Sequence, residues 1–173
     1  METNNYLTQE KKLDYMVDFN HLLTIDSHTR TDAILDPEIR EILIEINNNE
    51  LIHTLSSAFM GNSNKSIICF AYHLRIEQEL KNNIIPNIIK CVETIAGRRS
   101  IYIGKCSRNY FLPSGNLKCD PRNPKYGIRY FDDKDYYRIN HISIFFGANR
   151  NEQEANRIFW NCVRKGFSML TES

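Results

Sequence analysis

Ser66-Ile67-Ile68-Cys69-Phe70-Ala71-Tyr72-His73 reads as a strand whose run Ile67 to Ala71 is apolar at consecutive positions instead of alternate ones. A strand with no polar side has no face to give to water, so the run predicts a central strand covered on both faces. Leu51 to Met60, just upstream, reads as its neighbour, and Gly61-Asn62-Ser63-Asn64 has the length and composition of a hairpin loop. Downstream, helical spacing returns at Ile76 and Leu80 and again from Ile84 to Ile95, with Pro86 placed to kink or divide it and Gly97 to stop it. Ser100 to Cys106 is expected as a strand. Ser107 to Lys125 carries Pro113, Pro121 and Pro124 and Ser114-Gly115-Asn116, the chemistry of an ordered functional loop or an insertion. Tyr126 to Phe131 and Tyr136 to Phe146 predict a second hairpin around Asp132-Asp133-Lys134-Asp135.

The ends are expected to be helical. Thr8 to Leu23 reads as a first helix, with Leu13, Met16, Val17 and Asn20–His21 inside and Lys11, Lys12, Asp14 and Asp18 outside. Asp36-Pro37 looks like a cap and first helical position for a second helix. Its Ile39, Ile42, Leu43 and Ile46 share one face, and Asn47-Asn48-Asn49 ends it. Asn151-Glu152-Gln153-Glu154 resembles a capping box opening a last helix that buries Ala155, Ile158, Phe159, Cys162 and Val163. The order α-α-β-β-α-β-β-β-α predicts one α/β (α+β) domain over 1–173, a mixed or antiparallel central sheet flanked by helices.

Composition narrows the function classes. At 173 residues with 42% apolar side chains, the chain is long enough for one substantial core. A net charge of +1 with both signs interspersed provides no broad basic face for nucleic acid. The five cysteines form no C-x-x-C pair, so neither a structural metal site nor a secreted disulfide framework is expected. Cys69, Cys91 and Cys162 stand in apolar runs and read as core thiols. The N-terminus is polar and no run reaches a membrane span, which fits a cytoplasmic protein or an effector secreted without a cleaved signal.

No Walker-type or dinucleotide-type glycine loop occurs, and there are only seven glycines. Ala96-Gly97-Arg98-Arg99 puts two cations at a helix end, either for a phosphate or as a solvated cap. His141-Ile142-Ser143 has the histidine-hydroxyl spacing of two-histidine phosphoesterases, but the second such element is missing. Cys119, beside Lys118, Asp120 and Arg122, could pair with His141 in a hydrolase or deamidase. His28, in Asp26-Ser27-His28-Thr29-Arg30, is suited to proton transfer near neutral pH, or to a capping turn.

Three collinear blocks carry a family resemblance. They are Ile67-Ile68-Cys69-Phe70-Ala71 with Glu77 and Glu79, Ala96-Gly97-Arg98-Arg99-Ser100-Ile101-Tyr102-Ile103, and Ile139 to Gly147 followed by Gln153 and Ala155-Asn156-Arg157-Ile158-Phe159. In these the chain resembles the lysine acyltransferases that activate RTX hemolysins, cytosolic proteins with an acetyltransferase-like fold. The resemblance implies a fatty acyl chain passed from acyl carrier protein to a lysine of a partner protein such as a toxin. It puts the family's histidine at His28, as general base or transient acyl acceptor. Arg98 and Arg99 become candidates for the carrier's phosphopantetheine. Gly104 stands where the family has its aspartate, and Trp160 is the only tryptophan. Those departures keep open a non-catalytic effector or interaction protein on the same fold.

Overall fold

The computed structural model describes residues 5–23, 37–59, 65–96, 100–111, 136–147 and 153–170, with backbone only for 18, 21, 22, 56, 96, 100–111 and 136–138. The strands are β1 (Ile52–Ala58), β2 (Lys65–Tyr72), β3 (Ser100–Phe111) and β4 (Tyr136–Gly147). They form one sheet in the order β1-β2-β4-β3, antiparallel at every pairing. The doubly apolar β2 is central, as its composition requires. Its partners are β1 through the expected hairpin and β4 through the register Cys69↔Ser143.

β3 corrects the expected strand length. It does not stop at Cys106 but continues to Phe111, paired along its whole length with β4 from Ser100↔Gly147 to Phe111↔Tyr136. Ser107 to Phe111 therefore belong to the sheet, and the hairpin partner of Tyr136–Gly147 is β3. The expected strand Tyr126 to Phe131 and the rest of the proline-rich stretch lie outside the described residues.

Register assigns the two faces. Ile52, Ile68, Phe70, Tyr72, Ile142, Ile144 and Phe146 point to one side and join a large core built with α2 (Arg40–Asn47), α4 (Ile85–Ala96) and α5 (Gln153–Phe167). The other side carries His53, Ala71, Ile139 and His141, with a smaller cluster of Leu7, Tyr15, Ala71 and Ile139. In β1 the register shifts between Thr54 and Ser56, and the extra residue, Leu55, packs on that smaller cluster. Burying two faces takes two sets of helical cover, and α1 (Gln9–Leu22) provides part of the second.

α2 and α5 follow their sequence patterns. Ile39, Ile42, Leu43 and Ile46 are all buried, although α2 begins only at Arg40 after a turn over 37–39, and Asp36 lies outside the described residues. In α5, Ala155, Phe159, Cys162 and Val163 are buried and Ile158 is half-buried. Phe159 stacks on Phe146 at 5.2 Å and meets Trp160 edge-on at 5.6 Å, and Phe167 meets Phe70 edge-on at 5.1 Å. Such pairs add about 0.5–1.5 kcal/mol each beyond the area they bury. Asn156, fully buried, accepts a 2.6 Å hydrogen bond from Ser66 Oγ and ties α5 to β2.

The helical stretch after β2 changes pitch. A 3₁₀ turn (Leu74–Ile76) leads into α3 (Glu77–Glu79), a π turn (Leu80–Ile84) and then α4. Ile76, Leu80, Ile84, Ile88 and Val92, spaced by four, are all buried. In a regular α-helix each such step overshoots a full turn by about 40°, so the fifth residue would have left the core. The wider π turn absorbs that drift. It also encloses the carbonyl of Asn82, on which the Pro86 ring would press in an α-helix.

α1 inverts the expected stripe. Leu13 and Val17 are 62% and 52% exposed, whereas Lys12 is 6% exposed and Tyr15 and Phe19 are buried. Met16 is half-buried against the core, and Asn20 is exposed. The cause is local chemistry. Lys12 Nζ donates to Asn47 O at 2.8 Å and Ile52 O at 2.7 Å, and lies 3.0 Å from His53 Nδ1. Asn47 is the last residue of α2, so the ammonium meets the negative end of that helix. Tyr15 stacks on His53 at 5.0 Å and Phe19 meets it edge-on at 6.0 Å.

Candidate functional site

α4 and α5 run antiparallel. Ile88 meets Gly166, Asn87 Nδ2 lies 3.8 Å from Met169 Sδ, and Ile95 and Ile158 share one groove at the other end. Gly166 permits the approach: a Cβ there would lie 2.4 Å from Ile88 Cγ1. Beyond this contact the helices enclose a groove of about 460 Å³. Cys91 and Ile95 of α4 face Ile158, Asn161, Cys162 and Lys165 of α5 across it, and Glu45 and Arg164 close one side. The volume is that of a small-molecule site, and the lining sets Ile95, Ile158 and the two thiols among the polar side chains of Glu45, Asn161, Arg164, Lys165 and Ser168.

Electrostatics differ between floor and rim. Burial pushes the Cys162 thiol up to about 12, a hydrogen bond to Cys91 adds to the effect, and Lys165 opposes it. Cys162 is thus a protonated thiol at neutral pH. At the rim Arg164 clamps Glu45 through two contacts, Nε to Oε2 at 2.7 Å and Nη2 to Oε1. Both side chains are about half exposed, so this fork shapes the wall more than it stabilises the fold. Such an arrangement can hold an aliphatic segment beside the thiols and an anionic group beside Lys165.

A second polar cluster joins the N-terminal segment to the sheet. Tyr6 and Tyr72 both donate to Glu77 Oε2, at 2.9 and 3.0 Å, and Lys81 Nζ lies 3.5 Å from Oε1. Burial first, then the hydrogen bond to Glu77, raises both phenol pKa values above their ordinary range. Together with the Leu7 N to Tyr72 O bond at 2.9 Å, this is a lock for the segment before α1.

The sequence-predicted site residues fare unequally. His28, Arg98, Arg99 and Cys119 lie outside the described residues. His141 is 1% exposed within β4, its Nδ1 3.4 Å from Ile139 O, and Ser143 is buried two residues on. That is a histidine inside a sheet, and Cys119, its expected hydrolase partner, lies outside the described residues. His73 caps the 3₁₀ turn, its Nδ1 accepting from Arg75 N at 3.0 Å. Gly104 pairs with Ser143 in mid-strand, not beyond a strand end. Cys69 and Cys162 are buried as expected, but Cys91 is half-buried and opens on the groove. Its appearance there depends on which helices meet, and no local spacing announces that.

Among the described residues no helix is long and apolar enough to cross a membrane, and no group of three or more ligating side chains could hold a metal ion. The described residues form an α+β protein with a groove between two helices. Comparison with protein-family models, with curated proteins and with solved structures finds no match.

Proposed function

We propose that the chain is a protein-lysine acyltransferase of acetyltransferase-like fold, taking a fatty acyl chain from acyl carrier protein and delivering it to a lysine of a partner protein such as a toxin. The observation that carries this reading is the α4–α5 groove, apolar at Ile95 and Ile158 and cationic at Lys165. An aliphatic tail would lie on the floor. Arg98 and Arg99 follow Ile95 closely in the chain, which suits them to the phosphate of a carrier's pantetheine arm. His28 would take the proton from the attacking lysine, or accept the acyl group transiently. The lysine nitrogen then displaces the carrier thiol, which leaves with a proton.

The test is incubation with carrier protein charged with a labelled fatty chain. Label is expected on the chain or on a partner lysine, lost in His28→Ala and reduced in Ile158→Glu. Absence of label from every species, with unchanged charged carrier, overturns the reading. Gly104 favours one second reading, a non-catalytic interaction protein on the same fold, because a glycine in the β3 ladder provides no carboxylate there. In that case the fatty probe binds without being transferred.

A further inference from the structure

We infer that Cys91 and Cys162 are a disulfide-forming pair that a hydroperoxide oxidises, stapling α4 to α5 across the groove floor. The two thiols come from opposite helices and line the same groove, and Cys91 is the neighbour whose thiol acts most on that of Cys162. The helices close on each other one turn away. Ile88 lies one turn before Cys91 and Gly166 one turn after Cys162, and at that neighbouring rung a single added carbon would collide. Disulfides need short backbone separations, and a helix pair brought together through glycine provides them.

Access and order follow from the surroundings. Cys91 is half-buried and lines the groove, so a small oxidant reaches it from solvent. Cys162 is 2% exposed and held protonated, with Lys165 nearby, so it is the second thiol to react. In the first step the Cys91 sulfur attacks the hydroperoxide, the O–O bond breaks, and an alcohol or water departs, leaving a sulfenic acid. In the second, the Cys162 sulfur forms the S–S bond, the S–O bond breaks, and the hydroxide leaves as water with the Cys162 proton. Two thiols and one hydroperoxide thus give one disulfide, one alcohol or water and one further water. Cys69, 1% exposed in β2, is out of this exchange. The bond lies across the floor on which the proposed acyl chain would rest, so only the predicted loss of chain binding depends on that function.

The experiment uses the reduced full chain, treated with equimolar hydrogen peroxide, alkylated and mapped without reduction. Expected is a linked peptide pair containing Cys91 and Cys162, two hydrogens lighter than the reduced pair and restored by dithiothreitol. A fluorescent fatty acid bound by the reduced protein should be released on oxidation. The inference is overturned if both thiols stay alkylatable, if Cys91 proceeds to sulfinic acid while Cys162 stays alkylatable, or if either links to Cys69, Cys106 or Cys119. The map reads the native sequence, so a misfolded Cys91→Ser variant could not confuse it. If the probe fails to bind even the reduced chain, the acyl reading fails while the peptide map still decides the disulfide.

Discussion

α5 and α1 are fastened to the same sheet by opposite means. α5 brings Phe159, Trp160, Val163 and Phe167 into the buried apolar core, Phe159 stacked on Phe146 and Phe167 edge-on to Phe70. α1 brings an ammonium, Lys12, whose partners are two main-chain carbonyls and a histidine ring. The first kind of attachment grows mainly with apolar area, with ring geometry adding a smaller share. The second depends on a few hydrogen-bond directions, and it leaves Leu13 and Val17 in water. One helix can be read from its apolar spacing and the other cannot, because a buried lysine looks like a surface lysine until its acceptors are known.

Substitutions sharpen the contrast. Phe159→Ala should be the most damaging, costing about 4 kcal/mol in urea unfolding through lost burial and a cavity beside Phe146. Lys12→Met keeps the stem and removes the charge, stranding the carbonyls of Asn47 and Ile52. It should cost about 3 kcal/mol, and hydrogen exchange should rise first in α1 and β1. If Lys12→Met proves neutral, the polar attachment is ornamental and the contrast collapses.

The tyrosine lock gives a pH-dependent version of the same test. Tyr72 has its pKa raised on folding, so the folded state holds its proton more tightly than the unfolded chain does. Its contribution is complete below the unfolded phenol value of about 10 and declines as pH rises beyond it. Thermal stability should therefore fall between pH 9 and 11 (roughly the onset of phenol ionisation) less steeply in Tyr72→Phe than in the parent. An equal slope in both would remove the lock from the account. Smallest of all is Leu13→Gln, which should change stability by less than about 0.5 kcal/mol. A larger loss would return the inner face of α1 to the stripe its leucine and valine spell out.

Legibility followed the same division. β2, α2, α4 and α5 were readable because uninterrupted or regularly spaced apolar residues have few alternative burials. β3 was readable only as far as Cys106, since Ser107-Arg108-Asn109 carry no strand pattern and are held by the β4 ladder. The groove was not readable at all. Cys91 and Cys162 are far apart in sequence, and each passes for an ordinary core thiol within its own helix. His28, Arg98 and Arg99 stand out for their own chemistry, a histidine among polar neighbours and two cations at a helix end, and lie outside the described residues.

The π turn at Leu80–Ile84 has a consequence for how this segment tolerates change in length. A wide turn of this kind equals a regular helix with one residue interpolated, and it confines the phase correction to a single coil. A lineage could therefore drop one of Asn82 or Asn83, both exposed, and let the coil tighten while α4 keeps facing the sheet. The same deletion two turns later, at Ile89 or Lys90, would rotate every following side chain by a quarter-turn or more and carry Cys91 away from Cys162.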